Sequence, residues 1–167
     1  MDSGTTLTGI LLLLMCILPI VYLTRKRKKR ENLFLQSLFS SAEKSNCKIS
    51  QHDIWSNSAI GIDKEFPKLF FIRKTANNEI SKEINLSEIQ KCRVITTSRS
   101  VITKGGNQSV IDKLELAFAN REKNMPEIML EFYSTDHDSF SLSGELQLTE
   151  KWSEIANATI ANLAQKK

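Results

Sequence analysis

"TDHDS", Thr135 to Ser139, sets an imidazole between two carboxylates, the side-chain types from which metal sites and acid/base pairs are assembled. Neighbours along a chain rarely converge on one ion without further ligands. The only other histidine, His52, lies beside Asp53 far upstream, at what reads as a strand end. Asp136, His137 and Asp138 are therefore expected in a polar connection ahead of a helix. "KGGNQS", Lys104 to Ser109, has the glycines and lysine of a phosphate loop but neither its spacing nor a following helix to receive phosphate. It reads as a hairpin loop. Cys47 and Cys92 stand apart without paired spacing, and no serine sits in a nucleophile elbow. The pattern yields no catalytic, cofactor-binding or metal-binding set. The expectation is a protein that is not an enzyme, with an active site invisible in the linear pattern as the competing class.

The strongest chemical signal is charge. Arg25, Lys26, Arg27, Lys28, Lys29 and Arg30 follow directly on Ser3 to Thr24, in which no charged residue occurs. As a helix, that uncharged stretch reaches roughly 33 Å at about 1.5 Å per residue, the thickness of a bilayer core. A cleavable signal would need a basic start and a small-residue cleavage site, whereas the start holds Asp2 and the basic run occupies the cleavage position. Residues 1–24 are thus expected to form an uncleaved transmembrane anchor, mildly kinked at Pro19. Because Lys and Arg flanks stay on the cytoplasmic side, the expected placement is a single-pass cell-membrane protein with its N-terminus outside. The six basic residues are expected to contact the bilayer, through topological anchoring or attraction to anionic lipid.

Six of the 23 Lys and Arg and one of the 19 acids precede Glu31, so the remaining chain has 17 against 18, a charge of about −1. The basic character belongs to the run, and nucleic acid is not an expected partner. Residues 25–45 read as a basic juxtamembrane helix and linker: Leu35, Leu38, Phe39 and Ala42 have helical spacing, as a stalk with one sticky face or as a segment lying on the bilayer. Residues 46–167 suffice for one core.

Within that domain the period is near two. Strands are expected at Lys48–Trp55, Ala59–Asp63, Lys68–Thr75, Glu79–Leu86, Gln90–Ser98, Val110–Asn120 and Glu127–Ser134, with Asn77 and Asn78 turning one hairpin and Pro126 opening the last strand. The period then changes to about 3.6. Leu148, Trp152, Ile155, Ala156, Ile160 and Leu163 form one stripe of a helix with Ser143 as a plausible N-cap. Trp152 is expected to anchor the core.

Seven antiparallel strands closed by one amphipathic helix, with the phrases "SNSAIGIDKEFPKLFFIRK" and "INLSEIQKCRVI", resemble bacterial membrane-tethered proteins of pleckstrin-homology-like type. The resemblance covers Lys48 to Leu163. It implies an α+β fold, a transmembrane helix followed by a seven-stranded antiparallel barrel or sandwich with a C-terminal helix. It also implies a scaffolding module that binds a protein partner at the membrane surface, or alternatively senses anionic lipid. Members that bind phosphoinositides carry a basic cluster between the first strands. Here Lys64 and Lys68 are offset by Asp63 and Glu65, and Arg73 and Lys74 are expected to solvate a strand end.

Overall fold

The computed structural model describes residues 3–75, 78–103, 106–138 and 142–165. β2 (Ser58–Asp63) and β3 (Lys68–Lys74) are buried at nearly every position. A strand apolar on both faces needs cover on both faces. One face carries Ile60, Ile62, Leu69 and Phe71 into the main core; the other carries Ala59, Phe70 and Ile72 into a second cluster. Among the described residues these strands are central in a four-stranded antiparallel sheet, β1 (Gln51–Trp55), β2, β3 and β4 (Glu79–Asn85).

A single 3-10 turn at Leu86–Glu88 leads into a three-stranded sheet of β5 (Ile89–Thr103), β6 (Gly106–Asn120) and β7 (Ile128–Ser134). Leu114, Leu116, Phe118, Leu130 and Phe132 face the first sheet across the main core. α2 (Glu145–Gln165) closes this core with Trp152, Ala156 and Ile160. Its Asn157 carboxamide accepts from Cys92 N at 2.9 Å and donates to Cys92 O at 2.8 Å, occupying the backbone of β5 as a neighbouring strand would. The helix begins after Gly144, whose carbonyl accepts from Leu148 N at 3.0 Å, so the cap position falls there and not on Ser143.

The second cluster is covered by α1 (Ser3–Lys44), through Phe34, Leu38 and Ala42. These positions recur every four residues and so share one face. Close approach depends on Gly61: a Cβ built there would stand 3.0 Å from two carbons of Ile49 and 3.1 Å from Leu38 Cδ2. Gly61→Val should therefore push α1 off the sheet and cost about 1–3 kcal/mol. Urea denaturation measures the loss, and faster amide exchange at residues 34–42 would localise it.

The expected fold is corrected on two points. The seven strands form separate sheets of four and three, not one closed barrel. The expected transmembrane anchor is not borne out: among the described residues no helix is long and apolar enough to cross a membrane. α1 runs without a break through the basic residues into turns that dock on the first sheet, so over its length it is not an apolar helix. The transmembrane, single-pass cell-membrane placement falls with it, as do the N-terminus outside and the cytoplasmic domain inferred from it. The turns read as stalk or bilayer-lying segment are instead part of the domain's packing. The side chains of Cys16 and Pro19 lie outside the described residues, as does Asn77.

Candidate functional site

Of the six basic residues, Arg25, Lys28 and Lys29 are exposed on α1. The side chains of Lys26, Arg27 and Arg30 lie outside the described residues. Docking decides where this run sits. At the C-terminal end of α1, Ser45 donates to Glu83 Oε2 at 2.6 Å, and Glu83 also binds Lys68 at 2.6 Å. Those bonds hold the Glu83 carboxyl below its usual range, Lys68 contributing most. Eleven residues earlier, Phe34 joins Leu33 and Ser37 around a cavity of about 200 Å³ with Asn57, Lys74 and Glu79. α1 therefore climbs the first sheet from the Lys68–Glu83 end to the end carrying the β1–β2 turn and the β3–β4 connection. Continuing the helix carries Lys29, Lys28 and Arg25 beyond that end, away from the sheet. Met15, Leu18 and Tyr22 farther along α1 are also exposed.

A second polar feature lies at the same end, between the sheets. Arg73 follows Leu69 and Phe71 at alternate positions of β3, so its side chain enters the core side of the sheet, where it is 2% exposed. Its Nη2 meets Asp138 Oδ2 at 2.8 Å and Glu131 Oε1 at 3.0 Å, and its Nη1 donates to Ser58 Oγ at 3.3 Å. Lys113 bridges Glu115 at 2.8 Å and Glu131 at 3.2 Å; the Glu115 hydrogen bond outweighs burial and holds its ammonium above the usual range. Lys82 on β4 donates to Met129 O on β7 at 2.7 Å. These contacts line a cavity of about 430 Å³ with Thr75, Asn78 and His137. Backbone pairing does not join β4 to β7. Charged side chains hold that gap, and an inward lysine on an edge strand disfavours pairing with a stray chain.

The remaining groups with chemical potential are committed elsewhere. Asp53 accepts from Lys151 Nζ at 2.6 Å and Trp152 Nε1 at 2.9 Å. Burial pushes the Asp63 carboxyl up, but the backbone N–H groups of Lys48, Phe66 and Glu65 outweigh it and leave it lowered. Burial pushes the Cys92 thiol up to about 12, which keeps it protonated and unreactive at neutral pH. Cys47 is buried and raised by the same cause.

Asp138 is the notable member of "TDHDS": besides Arg73 it accepts from Ser134 N at 2.9 Å. Asp136 N donates to Ser134 Oγ, and His137 lines the cavity, so the three neighbours do not converge on one point. Among the described residues, no group of three or more His, Cys, Asp and Glu is placed to hold a metal ion. Arg73 was the residue misjudged from sequence; it is buried, not solvating a strand end. Its alternation with Leu69 and Phe71 carried the signal. Lys104 and Gly105 lie outside the described residues. No family model, curated protein or solved structure matches this chain.

Proposed function

We propose that the protein is a non-enzymatic interaction module in which a rigid two-sheet domain carries a helical arm whose basic segment meets an anionic surface. The observation that carries this reading is the exposure of Arg25, Lys28 and Lys29 on a helix whose later turns are fixed to the sheet. A fixed base holds the charges in one direction, so ordering them on a surface costs less conformational entropy than for a loose tail. Commitment of Arg73, Asp53, Asp63, Asp138 and Glu131 to internal pairs, and of both described cysteines to the core, supports a scaffolding role over catalysis.

Each basic side chain near an anionic lipid surface is worth about 1 kcal/mol. Full-length protein should therefore bind phosphatidylcholine vesicles containing phosphatidylserine more tightly than vesicles without it. Replacing Arg25, Lys28 and Lys29 with Gln should remove about 3 kcal/mol of that preference, and salt should weaken what remains. Co-sedimentation across a salt series checks this. Equal binding to both vesicle types would sink the surface reading.

A further inference from the structure

We propose that the cavity between β4 and β7 binds a free α-amino acid with an apolar side chain, its carboxylate held by Arg73 and Lys82 and its ammonium facing Glu115 and Glu131. This goes beyond the surface reading above and does not depend on it.

The cavity exists because the two sheets do not close. Among the described residues β4 pairs with β3 and β7 with β6, and about 430 Å³ is left between them, within the size range of small-molecule sites. Its walls differ in charge. On the first sheet Phe71 stands opposite Lys82 and Arg73 opposite Ile80, and residues directly opposed in an antiparallel pair share a face. Arg73 and Lys82 are thus diagonal neighbours on one wall, roughly 7 Å apart at Cβ. The wall on the second sheet carries Met129 and Glu131 at alternate positions of β7, with Glu115 of β6 paired to Glu131. Two cations face two carboxylates across the gap.

The cationic wall has donors to spare. Arg73 is 2% exposed and commits Nη1 and Nη2 to Ser58, Glu131 and Asp138, but its Nε is buried with no hydrogen-bond partner among the described residues. A buried donor of this kind is costly, so an acceptor brought to it gains affinity. Lys82 donates to the neutral Met129 O at 2.7 Å, one bond of the three that an ammonium can make. Arg73 and Lys113 each meet two carboxylates instead. A ligand carboxylate supplies one oxygen for Arg73 Nε and one for Lys82 Nζ. An anion by itself, however, is repelled by Glu115 and Glu131 on the facing wall. The charges around the gap already balance, with Arg73, Lys82 and Lys113 against Glu115, Glu131 and Asp138, and a zwitterion preserves that balance. The separation of its charges must be short, because Arg73 Nη2 and Glu131 Oε1 span the walls at 3.0 Å. An α-amino acid, with both charged groups on one carbon, meets this condition, and Phe71, Ile80 and Met129 offer its side chain apolar contact.

The test is isothermal titration calorimetry of the full-length protein with leucine, isoleucine, valine, methionine and phenylalanine. At least one should saturate the protein at millimolar concentration or below. The N-acetyl derivative of that amino acid lacks the ammonium and its amide lacks the carboxylate, so each should bind at least about tenfold more weakly. Ile80→Trp fills the cavity from β4 and should abolish binding, while Lys82→Met removes a carboxylate donor and should weaken it about tenfold. Circular dichroism confirms that each variant is folded. The derivatives are measured on wild-type protein, so they decide the matter independently of how the variants fold. No binding by any of the five amino acids overturns the proposal. Derivatives that bind as tightly as the parent amino acid overturn the dipolar recognition, and undiminished binding by folded Ile80→Trp protein overturns the cavity as the site.

Discussion

Trp152→Ala is expected to lower the stability of the domain by about 3–5 kcal/mol. The indole is fully buried at the centre of α2 and packs into the main core. Truncation removes its transfer free energy and leaves a cavity between helix and sheets that the rigid strands cannot close. It also deletes the donor at 2.9 Å from Asp53 Oδ2, leaving that carboxylate to Lys151. Trp152→Phe restores most of the ring volume without the N–H, so its loss should be clearly smaller. Urea denaturation followed by far-ultraviolet circular dichroism measures both, and an unchanged slope attributes the shift to the folded state. A Trp152→Ala midpoint equal to wild type would show that α2 is not part of the cooperative core.

Arg73→Met should cost a comparable 3–5 kcal/mol, for an electrostatic reason. One guanidinium nitrogen, Nη2, meets both Asp138 and Glu131, while Nη1 contacts Ser58. Glu131 keeps Lys113, but Asp138, whose side chain is 5% exposed, would retain only the backbone donor at Ser134. An uncompensated buried carboxylate is the costly outcome of breaking such a pair. Asp138→Asn in the Arg73→Met background should recover part of the loss, because the remaining partner is then neutral. A double-mutant cycle would give a coupling of about 0.5–3 kcal/mol. Arg73→Lys keeps the charge but cannot place separate nitrogens on the carboxylates and on Ser58, so it should rescue only partly. If the single substitutions simply add, the pair does not hold the gap between the sheets.

These two residues differ in how well the linear pattern announced them. Trp152 stands in a stripe with Leu148, Ala156 and Ile160, and an amphipathic helix needs no distant information to declare its apolar face. Arg73 alternates with Leu69 and Phe71, which places it on the core face of β3, yet its residue type argued for solvent. Its counter-ions lie 58 and 65 positions onward, at Glu131 and Asp138, and only folding brings them within 3.0 Å. β5 and β6 show a similar split. Their buried halves were readable from period two, whereas Arg99 to Thr103 and Gly106 to Ser109 pair without covering a core and so show no apolar alternation. The strand candidates accordingly ended at Ser98 and began at Val110, short of where the pairing ends.

By itself the sequence determined what is local: the alternation that makes β3 a strand, the 3.6 period of α2, and the concentration of positive charge at Arg25 to Arg30. It also set helical spacing in Leu35, Leu38, Phe39 and Ala42, but not what that face would meet or its register: Leu38 and Ala42 are buried together with Phe34, while Phe39 stays exposed. A stalk, a bilayer surface and a sheet all satisfy an apolar stripe equally well. Tertiary structure decided it, because β2 and β3 are apolar on both faces and the small residues Ala59 and Gly61 open the outer one to a helix. The same docking fixed the direction of the basic arm. Period and charge are properties of neighbours in the chain, whereas the cover over an apolar face depends on which distant surface has the matching shape.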